Sequence, residues 1–208
     1  MKYQAIVLAA GSGKRSGLDY NKIFYKIDYK LIIEKSVYLF LDDPECTKVV
    51  VVANKTDCTE LTKLFDNKVS VCVGGNTRQE SVKNGLSLID GEYVFIHDGA
   101  RPYASVKLVC RIKEALKEHD CVIPVISLKD SIKIVKDNVV VKSVNREDYK
   151  LIQTPQAFIS EKIKSAHNLA VNNDYTDDAA MIEEILNENI YCVEGETQNI
   201  KMTYKEDF

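Results

Sequence analysis

Three stretches of this chain set small and charged residues side by side, directly after apolar runs. The first is LAAGSGKRSG (8–17). Ala9, Ala10, Gly11 and Gly13 carry little or no side chain, so their backbone N–H groups can approach a bound anion closely. Lys14, Arg15 and then Lys22 add positive charge. The chemistry this permits is phosphate binding, and the plain alternative is a glycine-rich turn without a ligand. Two familiar phosphate loops do not fit. A Walker A loop needs Gly where Leu8 stands and Ser or Thr where Arg15 stands, and the dinucleotide fingerprint needs Gly in place of Ser16.

The second stretch, VGGNTRQESV (73–82), runs from a strand end into a helix. Gly74 and Gly75 allow unusual dihedrals, and a helix start near Thr77 offers free N–H groups and a positive dipole end. A simple strand–helix turn with a Thr77/Glu80 capping box would look the same. The third, IHDGARP (96–102), carries the most chemistry. Asp98 should emerge at the carboxyl edge of its strand, where ligands sit in open α/β sheets. A carboxylate there is suited to Mg²⁺, a hard ion that takes oxygen from one or two carboxylates plus substrate phosphates. Arg101 can grip a second phosphate with both arms of its fork. The competing role for Asp98, capping a turn against Gly99, leaves Arg101 without a purpose. His97 reads as a packed or capping residue rather than a metal ligand.

Further along stand Lys129-Asp130-Ser131, Arg146, LIQTPQAF (151–158), TDDAAMIEE (176–184) and NIKMT (199–203). Lys201 lies in a strand-like apolar context, either as a site cation or as an ordinary outward residue. TDDA reads first as a helix N-terminus, with Thr176 as cap and two aspartates favouring the dipole, ahead of a second metal site.

The elements that must position these residues follow from periodicity. Apolar runs at 3–10, 48–53, 68–73, 92–98 and 121–126 alternate with helical patterns near 31–42, 56–66, 78–89 and 105–118. Nearly continuous apolar strands between amphipathic helices predict a parallel sheet covered on both faces. From about residue 127 the pattern changes. SIKIVK and VVVKSV alternate around Lys136-Asp137-Asn138 as a lysine-rich β-hairpin that could pack against another subunit. Helices near 159–171 and 177–188, a short strand IYCVEG and the NIKMT segment follow. No linker, repeat or low-complexity tract divides the chain, so a single domain over 1–208 with a hairpin inserted at about 127–150 is expected.

Composition narrows the function class. The 208 residues carry 28 basic and 31 acidic side chains, for a net charge of −3, and the pI is about 5.7. A dedicated nucleic-acid binder normally carries a basic excess, and no apolar run approaches the roughly 18 residues of a membrane helix. The six cysteines form no C-x-x-C pair, which predicts reduced, mostly buried thiols in a cytoplasmic protein rather than zinc or disulfides.

In order, LAAGSGKR, GGNTRQESVKNGL, HDGARP, DSIK, QTPQAF, TDDA and NIKMT resemble the 2-C-methyl-D-erythritol 4-phosphate cytidylyltransferases of the non-mevalonate isoprenoid route. The resemblance implies a Rossmann-like, mixed but mostly parallel sheet flanked by helices, with a protruding β-arm that builds a homodimer. By position it implies that Arg15, Lys22 and Lys201 act on the reacting phosphates. The 9–13 backbone would wrap the CTP triphosphate, and Gly75 and Ser81 would help recognise cytidine. Asp98 would bind Mg²⁺. Arg101, Ser131, Arg146 and Thr154 would grip the sugar-alcohol phosphate, with the arm residues coming from the partner subunit. Where the family usually has Arg-Met and Pro-Lys-Gln, this chain has Arg15-Ser16 and Asn21-Lys22-Ile23. A lost proline predicts a looser free loop, by about 0.4–1 kcal/mol. Ser131 stands for the family's threonine, and the family's last helix after the NIKMT strand is not expected.

The implied reaction is in-line attack by the substrate's phosphate oxygen on the α-phosphorus of CTP, releasing pyrophosphate. The attacking phosphate is already ionised, so positioning and electrostatics should supply the catalysis, without a protein nucleophile. A ribitol 5-phosphate cytidylyltransferase is the nearest rival and a non-catalytic nucleotide sensor a remoter one. A nicotinamide-dependent oxidoreductase is disfavoured by the failed glycine fingerprint.

Overall fold

A computed structural model describes residues 1–11, 13, 16–171 and 175–208. Its main sheet is built on β1 (Tyr3–Leu8), which pairs in parallel with β4 (Cys46–Ala53) on one side and β6 (Tyr93–Asp98) on the other. A small hairpin, β2 (Lys26–Ile27) and β3 (Lys30–Leu31), lies between β1 and α1 (Ile32–Leu41), and a 3-10 turn at Lys22–Phe24 precedes it. After β4 come α2 (Cys58–Leu64), β5 (Ser70–Val73) and α3 (Arg78–Leu86); β6 leads to α4 (Val106–Ala115) and β7 (Cys121–Ser127). Then follow the hairpin β8 (Lys133–Lys136) and β9 (Val139–Ser143), β10 (Lys150–Ile152), β11 (Gln156–Ile159), α5 (Ser160–Leu169), α6 (Asp178–Leu186) and β12 (Tyr191–Glu194). Strand order is β10-β7-β11-β6-β1-β4-β5, with β12 also on β7.

Alternation within the strands builds two cores. Ala5, Val7, Val49, Val51 and Phe95 face one side with Val37 and Phe40 of α1 and Leu108 and Ile112 of α4. Ile6, Val50, Val52, Val94 and Ile96 face the other with Val82 of α3, Ile163 of α5 and Ile182 of α6. Both sets are almost wholly buried, which is why these strands read as unbroken apolar runs.

The expected sheet, mixed and mostly parallel, is thus present. β11 runs antiparallel to β6 and β7 and sits between them. Other expectations need correction. Residues 199–203 form no strand; one backbone bond, Met202 N–H to Ala100 O at 2.8 Å, ties them to the loop after β6. Asp177, not Thr176, caps α6, its side chain accepting from Ala180 N–H at 2.9 Å. All six cysteines are free, yet only Cys121 is buried. The chain ends in a 3-10 turn at Lys205–Asp207.

The expected hairpin is also there. Asp137 and Asn138 both take positive φ, 49° and 64°, the backbone that a tight two-residue turn demands. Val135, Val139, Val140 and Val141 are each more than half exposed. No helix among the described residues is long and apolar enough to cross a membrane.

Candidate active site

The chain steps from β1 outward through β4 and β5, then returns to the other side of β1 at β6. That reversal opens a crevice beyond the carboxyl ends of the strands, the place where open α/β sheets bind ligands. A cleft of about 440 Å³ lies there, lined by residues 8–11, 13, 21–23, 75–78, 81, 98, 100 and 201. Ala9, Ala10, Gly11, Gly13, Lys22, Gly75, Ser81, Asp98 and Lys201 are therefore brought together, as the sequence predicts. Arg15 lies outside the described residues.

The loops fit closely. Gly13 sits at φ +65°, and a Cβ on Gly74 would lie 2.6 Å from Ala10 Cβ and 2.8 Å from Ser81 Oγ. Glycine at 74 thus lets the second loop pack on the first. Ser81 Oγ accepts from Gly75 N–H at 3.1 Å and donates to Thr77 O at 2.9 Å, fixing that turn. Thr77 caps α3 by accepting from Glu80 N–H at 3.1 Å; Glu80 Oε2 answers by accepting from Asn76 N–H.

Asp98, at the end of β6, is the electrostatic centre. Its Oδ2 lies 2.9 Å from Lys201 Nζ and 3.4 Å from Arg101 Nε, and its Oδ1 lies 3.7 Å from Arg78 Nε. Burial alone would push the carboxyl up, but Lys201, then Arg78 and Arg101, hold it well below the usual carboxylate range. Arg78 is itself anchored by Asp178 at 2.7 Å. Burial would lower the guanidinium's pKa, and Asp178 and Asp98 together raise it instead. Asp178 is 1% exposed, and its acidity is increased against burial by Arg78 and His167. TDDA thus supplies a buried partner for a cleft arginine as well as a helix cap.

Behind Asp98 runs a fixed hydrogen-bond chain. Asp98 N–H donates to Thr154 Oγ1 at 3.0 Å, and Thr154 Oγ1 lies 3.0 Å from His97 Nδ1. His97 Nε2 lies 3.2 Å from Arg101 O. A carbonyl only accepts, so Nε2 carries the proton and Thr154 O–H donates to Nδ1. Burial lowers His97 to about 4, so the ring is neutral near pH 7 and packed, as its sequence context predicts. Thr154 is 4% exposed and fully engaged.

Arg101 and Gln153 hold the loop that presents Lys201. Arg101 Nη1 donates to Asn199 O at 2.8 Å. Gln153 pairs with the backbone of Glu196 in both directions, at 2.7 and 3.0 Å, and Asn199 Nδ2 donates to Thr154 O at 2.8 Å. Arg101 and Thr154 consequently sit behind the cleft wall rather than on it. Ser131 and Arg146 do not line the cleft either. Both are exposed, and Arg146 Nη1 donates to Lys129 O at 2.7 Å.

Arg78, Asp178, Gln153, Asn199 and Asn21 are the residues that sequence reasoning missed. Arg78 alone carried a local signal. A cation in the first turn of a helix opposes the dipole, which calls for an acidic partner elsewhere.

The family model for IspD, 2-C-methyl-D-erythritol 4-phosphate cytidylyltransferase, matches residues 3–208. The 2-C-methyl-D-erythritol 4-phosphate cytidylyltransferase of Clostridium tetani is 42% identical over 214 residues, covering 98% of this chain and 86% of that protein. That of Geobacillus thermodenitrificans is 38% identical over 215 residues, covering 100% and 94%. Among solved structures, the bifunctional IspDF from Campylobacter jejuni matches with a TM-score of 0.87 at 32% identity. That alignment takes in 100% of this chain and 53% of the bifunctional one. From its first strand to its last residue, then, the chain belongs to the 2-C-methyl-D-erythritol 4-phosphate cytidylyltransferase family.

Proposed function

We propose that this chain joins CTP and 2-C-methyl-D-erythritol 4-phosphate to give 4-diphosphocytidyl-2-C-methyl-D-erythritol and pyrophosphate. The observation that carries this is the cleft at the strand reversal, where one ionised carboxylate, Asp98, gathers Lys201, Arg78 and Arg101 beside two small-residue loops. Two anionic reactants repel each other, and charge builds on the α-phosphoryl oxygens as the new bond forms. Lys22 and Lys201, with Arg15, offset that charge; Lys22 and Lys201 do so from the cleft lining that the fold sets before substrate arrives. The small residues of the 9–13 loop let its backbone approach phosphate oxygens closely. Gly75 and Ser81 face the cytidine end of the same cleft.

Mg²⁺ is the divalent ion this donor set suits. Among the described residues no group of three or more His, Cys, Asp or Glu gathers, so Asp98 would be the ion's protein carboxylate, with phosphates and water completing the shell. Asp98 fits that duty because it stays ionised and its Oδ1 has Arg78 only at 3.7 Å, beyond hydrogen-bond range. Bound there, the ion would neutralise phosphate charge.

The alcohol-phosphate end is completed by a second copy of the chain. Ser131 and Arg146 stand at the base of the β8–β9 hairpin, outside the cleft lining, and the hairpin's valines are bare. A homodimer that covers them would bring the partner's Arg146 to the methylerythritol phosphate. The chain is accordingly read as one domain over 1–208 with an arm at about 127–150, acting in the cytoplasm.

The test is pyrophosphate release from each of the four nucleoside triphosphates with methylerythritol phosphate, and from CTP with ribitol 5-phosphate. Turnover confined to CTP with methylerythritol phosphate is expected. Equal or faster turnover of ribitol 5-phosphate would transfer the assignment to that substrate, and CTP binding without turnover would leave a sensor.

A further inference from the structure

The turn that carries Lys22 is held by the side chain of the residue just before it, Asn21. Asn21 Nδ2 donates to Ala9 O at 3.1 Å and to Asp57 Oδ2 at 2.9 Å, while its Oδ1 accepts from Ile23 N–H at 3.4 Å. Both amide hydrogens and the amide oxygen are thereby used. Each anchor is itself fixed. Ala9 N–H donates to Val52 O at 2.7 Å, tying that residue to the sheet. Asp57 stands before α2, and its carboxylate also accepts from Asn54 Nδ2 at 3.2 Å and Thr56 Oγ1 at 2.9 Å. One amide therefore joins the floor of the cleft, the start of α2 and the Lys22–Phe24 turn.

We propose that Asn21 is a positioning residue, clamping the Lys22 turn to the Ala9 carbonyl and the Asp57 carboxylate so that Lys22 is held over the phosphate-binding part of the cleft. The proposal rests on the reading above that Lys22 meets the CTP phosphates. The backbone supports it: Asn21 has φ −65° and ψ 120°, and −65° is the φ that a proline ring enforces. Covalent restriction of φ and three hydrogen bonds are two physical routes to the same restrained turn. The asparagine route depends on its amide, so it can be broken without touching Lys22. Restraint matters because a charge displaced by about 1 Å can cost on the order of 10²-fold in rate.

The experiment is steady-state kinetics with CTP and methylerythritol phosphate, alongside thermal unfolding, on Asn21→Ala, Asn21→Pro, Asn21→Asp and Lys22→Ala proteins. Asn21→Ala should lower kcat/KM for CTP about ten- to a hundred-fold, with the methylerythritol phosphate KM and the melting temperature nearly unchanged. Asn21→Pro should recover most of the loss. Asn21→Asp should not, because its carboxylate would face the Asp57 carboxylate with no donor between them. In a Lys22→Ala background, Asn21→Ala should add little, since coupled residues are not additive. An Asn21→Ala protein with normal CTP kinetics overturns the clamp. So does a proline variant no better than alanine, or a full additional loss in the Lys22→Ala background. Wild-type protein without turnover would overturn the functional reading, and the clamp with it; active wild type indifferent to Asn21 overturns the clamp alone.

Discussion

Around Asp98 three cations are already in place on one chain, whereas Ser131 and Arg146 stand on open surface beside an unpaired hairpin. The first region is tied down at every level. Lys201 is presented by a loop fastened to Gln153, Arg101 and Thr154, and Arg78 is braced by a buried aspartate from 100 residues away. In the second, the contacts among the described residues stay within the arm region, Arg146 to Glu147 and to the Lys129 carbonyl. The contrast teaches that the charged cleft is a property of the folded monomer. Under the proposed function, the grip on the second substrate is left to assembly. Substitutions should therefore fall into two kinds, those that damage the monomer's own electrostatics and those whose effect depends on the partner.

The largest effect is expected at Asp178. Asparagine there would strip Arg78 of its partner, and breaking such a pair costs about 3–5 kcal/mol when both groups are buried. Arg78 keeps 28% side-chain exposure, so the lower end of that range is expected in urea unfolding. The sign with pH is also fixed. Arg78 and His167 hold the Asp178 carboxyl below the ordinary aspartate range despite its burial, so its stabilisation is present above the unfolded pKa and is lost as pH falls from there through the folded pKa. Asp178→Asn should flatten the acid limb of the stability curve. An equally steep limb would remove Asp178 from the charge network. Next comes Lys201→Ala, expected to lower kcat by about 10²–10³ with little change in stability, the scale for one preorganised contact to developing charge. Near-normal turnover would take Lys201 out of the mechanism.

The same contrast explains what could be read from sequence. Strands β1, β4 and β6 were legible because burial on both faces makes their residues uniformly apolar, and the three small-residue loops were legible because they directly follow the apolar runs of β1, β5 and β6. β11 escaped as a strand because QAFI is only four residues long and pairs with strands that are not its chain neighbours. NIKMT looked like a strand because its apolar residues alternate. Asn199 instead spends its side chain on the Thr154 carbonyl, and the segment keeps a single backbone bond to Ala100. Arg78 in a first turn calls for an acid without saying which, and Asp178 lies 100 residues away where an aspartate in a first turn already satisfies the dipole, so the pairing itself was not legible. Asn21 in place of the family's proline read as a looser loop; its side-chain hydrogen bonds to Ala9 O and Asp57 leave no trace in composition.

A smaller effect should sharpen the second region. Arg146→Ala should weaken methylerythritol phosphate binding about ten-fold or more, the cost of one charged hydrogen bond, while leaving CTP affinity unchanged by calorimetry. Equal loss of both ligands would place Arg146 with the monomer's own cleft and erase the distinction.

The smallest effect discriminates most sharply. If each site takes Lys22 from one chain and Arg146 from its partner, a Lys22→Ala/Arg146→Ala heterodimer holds one doubly altered site and one intact site. Random exchange of subunits between the two variants places half of all dimers in that mixed class. One site in four is then intact, and with methylerythritol phosphate well below its KM activity should rise from about a twentieth or less to about a quarter of wild type in a closed two-fold dimer. The gain should appear only after exchange, for example after mild denaturation and refolding of the mixture. If the variants were each impaired by misfolding, mixing would restore nothing. If Arg146 served the cleft of its own chain, every site in the mixed dimers would carry one lesion, and exchange would bring no gain in activity. Recovery therefore requires that the exposed arginine and the buried-carboxylate cleft belong to different chains, which is the asymmetry between the two regions stated as a number.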